Sequence, residues 1–330
     1  MYKLLTISCY FGTLPEHFPE FLRSVEMNPT VDFLMVTDCA IHNPPSNVHV
    51  YNCTFEELKK KVQSVFDFPI VLDRPYKLCD FRPAWGIIFR EFINGYDFWG
   101  HCDMDMIFGD IRAFLPDEIF TNYDKIYKLG HLAYYRNTEE NNRRYQLDGG
   151  VNYKDAFATT DGVAFDEIAG IYNIFMKHNF PLYFSRDYAD ITYGKVRFTL
   201  SYFHVPEELT ATNNYDKQVF YRENGRVYRA YVKDNQIQTE EFIYIHFSKR
   251  KMVRNSLPSN CDSYYITNKG LFEKCGPVCE SDFDRYNGYE PFAEYKRSLE
   301  CWFAKQKNKW NYYTKILERK ISKKADSKIS

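Results

Sequence analysis

Apolar and polar positions fall in blocks along this chain, and the blocks change period in a regular order. Residues 3–10 form an apolar run ended by Gly12 and Pro15, which predicts a buried strand. Phe18, Phe21, Leu22 and Val25 share helical spacing that stops before Asn28-Pro29. A second strand is expected over 31–38, closing on Asp38, and a third over 48–52 after the Pro44-Pro45 turn. Thr54 with Glu56 and Glu57 reads as the cap of a helix running towards Phe66. Strands alternating with helices from the start predict an α/β fold, with a mostly parallel sheet flanked by helices. Ligands bind such sheets beyond the carboxyl ends of the strands. Thr6, Tyr10 and Phe11 on the first strand and Asp38 on the second are therefore candidate binding residues.

The pattern centres on 96–110, where Phe98-Trp99-Gly100-His101-Cys102-Asp103-Met104-Asp105 is followed by the apolar Met106-Ile107-Phe108. If 96–100 is a strand, its period of two puts Asp103 and Asp105 on one side of the chain, just where a loop begins. Carboxylates so placed repel each other, and burying either alone is costly. A hard divalent cation with oxygen ligands answers both problems. A solvated loop with two Asp residues is the alternative, and the flanking aromatic and apolar residues weigh against it. A late strand over 241–245 ends in His246, followed by Lys249-Arg250-Lys251. One imidazole with adjacent cations can complete a carboxylate–imidazole site for Mn2+ and neutralise phosphate oxygens; a strand end with a solvated basic turn is the plainer alternative. If that strand ends at the same sheet edge, His246 comes within metal-ligand reach of Asp105.

The remaining segments supply context. Lys77, Asp80 and Arg82 cluster where 74–86 leads into an apolar helix expected over 87–93, a place that favours anions or simply caps a helix. A short helix is expected over 111–120 and strands over 125–129 and 130–137. Residues 138–160 are polar and aperiodic, so 138–165 reads as a structureless insertion, either an acceptor-side lid or a variable loop. Asp166-Glu167 then open a helix running through Phe175, where acids suit the N-terminus. Residues 215–245 predict a small antiparallel β region with a turn at Asn224-Gly225. These elements make 1–255 one domain and 256–330 a C-terminal helical extension. Over 295–321 that extension carries Trp302, Phe303, Trp310 and Tyr312 among many lysines. Such a helix either lies on an anionic membrane surface or docks on the main domain.

The stretches 76–86, 97–112 and 243–252 resemble the GT-A fold, D-x-D metal-dependent nucleotide-sugar glycosyltransferases of bacterial surface-polysaccharide (capsule or O-antigen) synthesis. The resemblance covers roughly 3–252 and implies a GT-A-like, Rossmann-related sheet. It implies that Asp103, Asp105 and His246 hold Mn2+ or Mg2+ against the donor diphosphate, which Lys249 and Arg250 help to neutralise. It further implies that Lys77, Asp80 and Arg82 touch the donor, and that Asp166 or Glu167 is the catalytic or acceptor-orienting carboxylate. The implied reaction moves a hexose or N-acetylhexosamine from a nucleotide-diphosphate sugar, a UDP-sugar foremost, onto a surface glycan or lipid-linked glycan.

Charge and composition prune the alternatives. Lys+Arg 43 against Asp+Glu 44 argues against a basic nucleic-acid binder. Aromatic residues at 18% offer stacking platforms for sugars and bases. No run approaches the ~18 apolar residues of a membrane span, and the first residues lack a signal-peptide pattern. Nine scattered cysteines, an odd number, read as reduced thiols in a cytoplasm. Peripheral contact with the inner membrane through the basic tail fits that location. Cys261, Cys275 and Cys279 lack the paired spacing of a zinc site. A sugar nucleotidyltransferase would also need paired carboxylates, but no Gly-rich phosphate loop follows the first strand. A non-catalytic carbohydrate-binding protein would not need the acidic pair and the His-Lys-Arg patch together.

Overall fold

The computed structural model describes residues 1–201, 214–258 and 260–307. Its main layer is a seven-stranded sheet. Strands β1 (Leu4–Tyr10), β2 (Val31–Thr37), β3 (Val48–Asn52) and β4 (Phe98–Cys102) are mutually parallel. Beyond β4, the strand β7 (Leu132–Arg136) runs antiparallel to both β4 and β6 (Lys125–Ile126), and β8 (Leu182–Tyr183) closes the edge. The order across the layer is β3-β2-β1-β4-β7-β6-β8. Successive side chains divide between the two faces. Leu5, Leu34, Trp99 and Tyr135 pack under α2 (Phe55–Val65) and the 78–93 turns. Their neighbours Leu4, Phe33, Phe98 and Tyr134 pack under α1 (Phe18–Glu26). The Thr54 cap forms as expected: its hydroxyl accepts from Glu57 N–H, while Glu57 accepts from Thr54 N–H at 2.7 Å.

After β4 the chain leaves this layer and enters a second one. The strand β5 (Met106–Phe108) pairs antiparallel with β13 (Tyr244–His246), which pairs parallel with β9 (Ala189–Asp190). A five-stranded antiparallel sheet lies alongside, in the order β12 (Gln236–Phe242), β11 (Arg226–Lys233), β10 (Gln218–Glu223), β14 (Tyr264–Thr267), β15 (Gly270–Glu273). Ile107, Ile245, Phe220, Tyr264 and Leu271 form the core between the two. The expected turn at Asn224-Gly225 is present, with both residues at positive φ, as a tight hairpin requires.

The structure departs from the periodicity in four places. No long helix covers 87–93: Trp85–Ile88 is a single turn, and the preceding Pro75–Ala84 is a chain of short turns interrupted by Pro83. The expected 111–120 helix is broken at Pro116 into Ile111–Phe114 and Asp117–Asn122. Residues 138–160 are not structureless. Thr138 and Asn152 cap short helices at Glu139–Arg143 and Tyr153–Phe157, and Tyr145 and Phe157 are buried. Helical structure at the C-terminal end starts at Glu280–Asn287 and resumes over 291–307, because Tyr264–Thr267 and Gly270–Glu273 join the five-stranded sheet. Trp310, Tyr312 and the lysines beyond 307 lie outside the described residues.

Lys125 in β6 is fully buried, donates to the carbonyl of Tyr127 and lies 4.9 Å from the Tyr135 ring. Burial pushes its pKa down from 10.5 to about 7, against the pull of Asp166 and Glu167. An unfolded chain keeps this proton up to its ordinary pKa, whereas the folded one releases it near 7. Stability contributed at this position therefore rises with pH between the two values. In urea titrations, wild type should gain on Lys125→Met by up to about 1.4 kcal/mol per pH unit between pH 7 and 10. A difference that does not change with pH would disprove the buried titration.

Candidate functional site

The site forms where the chain passes from the large sheet to the small one. Met104 is buried in the core beneath α1, its carbonyl 3.2 Å from His17 Nε2, so Asp103 and Asp105 on either side project the other way. Register delivers the rest. In β13, His246 sits opposite Met106 of β5 and beside Asp190 of β9, and the Phe247 N–H donates to the Asp105 carbonyl at 2.8 Å. His246 Nε2 lies 3.4 Å from an Asp105 oxygen and 3.8 Å from an Asp103 oxygen. Its Nδ1 faces Asp190 at 2.8 Å. The structure thus brings His246, Asp105, Asp103 and Asp190 together.

Cations balance the gathered acids. Burial alone would discharge the His246 ring, but Asp105 and Asp190 outweigh it and hold its pKa well above the ordinary value. Burial likewise opposes ionisation of Asp105 and Asp190, yet His246 brings both pKa values down. Arg82 carries the other end: its guanidinium pairs with Asp103, with Asp166 at 3.0 Å and with the Gly130 carbonyl at 2.7 Å. Asp166 is 3% exposed, and its burial, opposed by Arg82, raises its pKa to about 7. Glu167 accepts from the Gly130 N–H at 3.0 Å. A β-carbon at Gly130 would lie 2.5 Å from Asp166 Oδ2, so only glycine admits this approach.

The other residues singled out from sequence are placed as follows. The Lys249 N–H donates to Asp105, and its ammonium reaches the Tyr76 hydroxyl at 2.8 Å. Ser248 and Lys249 both have positive φ, a conformation non-glycine residues seldom adopt outside tight functional turns. Arg250 turns away, donating to the Phe247 and Lys195 carbonyls, each at 2.8 Å. Lys77 is buried against Asp80 at 2.8 Å and the carbonyls of Ala156 and Asp161, while Asp80 accepts from Phe165 N–H at 3.0 Å. These two residues tie 156–165 to the core rather than joining the cluster. Thr6 is buried mid-strand against the Tyr134 hydroxyl. Tyr10 ends β1 and Phe11 follows it, with the Tyr10 hydroxyl donating to the Thr13 carbonyl and Phe11 against Phe55. Asp38 accepts from Gly12 N–H at 2.9 Å.

Two participants escaped the sequence reading. Asp190 follows Arg186 and Asp187 in a mixed stretch that assigns it no role, and only its pairing with β13 brings it to His246. His131 stacks on His246 with ring centroids 4.7 Å apart. Its Nδ1 meets the Tyr244 hydroxyl, and its buried Nε2 has no hydrogen-bond partner. Burial, aided by the His246 charge, lowers its pKa to about 4, so it is neutral at pH 7.

This donor set fits a divalent cation. Ligand atoms of Asp103, Asp105 and His246 lie within 4.8 Å of one another, as do those of His131, Asp190 and His246. Donors bonded to one ion at ~2.0–2.5 Å have separations of this order. Asp190 behind the Nδ1 of His246 is the usual second partner of a ligating imidazole, fixing which nitrogen faces forward.

Fold and site together define a mixed α/β protein with a carboxylate–imidazole cluster at the carboxyl edge of its parallel strands. The chain belongs to a family of unknown function (DUF6625), matched over residues 6–274. Comparison with curated proteins gives no match. Among solved structures, it is similar to galactosyltransferase LgtC in complex with donor and acceptor sugar analogues. There the identity is 8% and the TM-score 0.35, over 57% of this chain and 75% of that one. Mouse xyloside xylosyltransferase 1, apo form, gives 10% identity and a TM-score of 0.35, over 58% of this chain and 88% of that one. Both likenesses are distant.

Calorimetric titration of the purified protein with Mn2+ alone should detect one site. Asp105→Ala and His246→Ala should each weaken it at least tenfold, and Asp190→Asn by roughly tenfold through loss of imidazole orientation. Undiminished Mn2+ binding in Asp105→Ala would rule out the assignment.

Proposed function

We propose that this protein is a metal-dependent glycosyltransferase that moves a hexose or N-acetylhexosamine from a nucleotide-diphosphate sugar, foremost a UDP-sugar, to a surface-glycan acceptor. The observation that carries this reading is that His246, from a distant part of the chain, lies 3.4 Å from Asp105 and 3.8 Å from Asp103. Breaking a sugar–diphosphate bond mainly requires stabilising the departing phosphate charge, and Mn2+ or Mg2+ supplies that. Asp103, Asp105 and His246 would hold the ion, with Asp190 orienting His246. Lys249, beside Asp105, is the cation in reach of a phosphate oxygen. Arg82 is a positioning residue that keeps Asp103 turned inward, and Asp166 holds Arg82 in turn. Tyr10, Phe11 and Asp38 border the strand ends where a nucleotide would lie, whereas Thr6, Lys77, Asp80 and Arg250 support the walls. Glu167, half-buried beside Gly130, is the carboxylate left for the acceptor hydroxyl.

Incubation with a panel of nucleotide sugars and Mn2+ tests the reading. We expect release of nucleoside diphosphate from one donor, falling by roughly two or more decades in Asp103→Ala and Asp105→Ala with the fold intact. Turnover of no donor, or pyrophosphate as the product, would overturn it.

In this reading the enzyme works in the cytoplasm, at the inner face of the membrane. No helix among the described residues is long and apolar enough to cross a membrane. The helix over 291–307 is held by Glu294, which accepts from the N–H groups of Val196 and Arg197, and by Arg297 at the Tyr193 carbonyl. It leaves Phe292, Tyr295, Trp302 and Phe303 more than half exposed, and lysines crowd the sequence that follows. Aromatic residues beside lysines suit an anionic lipid surface. Deleting residues after Ser298 keeps both anchors and should release the protein from anionic vesicles. Binding of the full chain should weaken as salt screens its lysines, each of which contributes roughly 1 kcal/mol near such a surface. Equal vesicle binding by the truncated chain would exclude this role.

A further inference from the structure

A cavity of about 340 Å³ opens between the edge strand β8 and the helical turns at 168–177. Its walls are aromatic: Tyr172, Phe175, Phe180 and Phe184, with Leu182. The sole charged residue lining it is Lys128, which is 4% exposed. The ammonium lies 4.3 Å from the Phe184 ring centroid and 5.4 Å from that of Tyr172. Among the described residues no carboxylate or carbonyl meets it, and burial by itself lowers its pKa. The contrast with neighbouring Arg144 is direct. That guanidinium lies over the Phe180 ring, 3.8 Å from its centroid, but it is paired with Asp124 at 2.7 Å and with Glu140.

A cation with a buried stem, whose ammonium meets aromatic rings at a cavity but no anion, is incomplete as a structural device. Aromatic contact recovers part of the lost hydration, and a counter-charge would recover most of the rest. The volume is that of a small-ligand pocket. Flat aromatic faces suit the C–H faces of a sugar ring, and the ammonium suits an acidic substituent on it. We propose that this cavity binds an anionic sugar residue, one carrying a carboxylate or a phosphate, through Lys128 and the rings of Tyr172 and Phe184.

Short stretches of chain link the cavity to the cluster described above. Lys128 stands three residues before His131, which bounds their Cα separation at about 11 Å. Phe184 precedes Asp190 by six residues, and Tyr172 follows Asp166 by the same interval. Tyr127, just before Lys128, has φ 64° and is held there by Asp187, which accepts from its hydroxyl at 2.7 Å. As an acceptor subsite the cavity rests on the transferase reading; as a binding site for an acidic sugar it does not.

The test therefore omits donor and metal. Binding of methyl β-glucuronide, glucose 6-phosphate and methyl β-glucoside is followed by ligand-observed NMR on the full chain in EDTA. At least one of the two anionic sugars should bind about tenfold or more tighter than the neutral glucoside. Lys128→Met should remove that preference, and Lys128→Arg should keep it. The arm that responds identifies carboxylate or phosphate as the ligand group. Equal binding of the three sugars to wild type would overturn the proposal without using any variant. So would an unchanged preference in a Lys128→Met protein whose thermal unfolding matches wild type. Neither result bears on donor turnover, and absence of donor turnover would leave the binding result standing.

Discussion

The site depends on keeping Asp103, Asp105 and Asp190 together in a partly buried space. Left alone, each carboxylate would lose hydration and repel the others, at a cost of several kcal/mol apiece. Two cations answer this from opposite sides. His246 faces Asp105 and Asp190, and Arg82 faces Asp103. The division has chemical meaning. A metal ion arriving between the acids would displace the proton that His246 carries and turn the imidazole from counter-charge into ligand. Arg82 keeps its charge under all such conditions, because a guanidinium does not titrate in this range. One neutraliser is exchangeable and the other is fixed.

Backbone pairing rather than side-chain attraction sets this geometry. The chain leaves the large sheet after Cys102 and re-enters a sheet at Met106, so Asp103 and Asp105 occupy the crossing between layers. Pairing of β13 with β5 and β9 at the same time fixes His246 opposite Met106 and beside Asp190. A one-residue slip would turn the imidazole to the other face. The buried contacts of Ile107, Ile245 and Ala189 in one core oppose that slip. Apolar packing thus holds a polar cluster in register.

Much of this was legible in sequence because period-two burial is a local signal. The first three strands and two helices, the crossing at Asp103 and Asp105, and the hairpin at Asn224-Gly225 fall where the pattern puts them. His246 could be chosen because it ends an apolar run and is followed by cations. Asp190 could not, since its partner lies 56 residues away and its own mixed stretch assigns it no role. The helix expected over 87–93 failed for another reason. Gly86 packs so closely that a β-carbon there would lie 2.6 Å from Asn142 Oδ1 and 2.7 Å from the Trp99 indole nitrogen. Tertiary packing overrides an apolar run that would pass for helix in isolation. The 138–160 stretch misled in the opposite sense. Its order comes from caps and buried polar groups such as Asn141 and Asn142, which leave no hydrophobic period.

The charges of 77–82 show how a candidate binding motif can be used up in construction. Lys77 reaches two carbonyls of 156–161, and Asp80 gathers the N–H groups of Val163 and Phe165. Together they replace the hydrogen bonds that regular secondary structure would have provided to that segment. The segment is thereby held so that Asp166 meets Arg82, and Arg82 then meets Asp103. A line of charge–charge and charge–dipole contacts runs from the turns at 75–84, through 156–166, to the D-x-D crossing. The links are buried or half-buried, and removing one partner would strand the charge of the other. Precision at Asp103 therefore comes from a segment that touches no ligand atom of the cluster, and polar residues near a site need not be binding residues to be required by it.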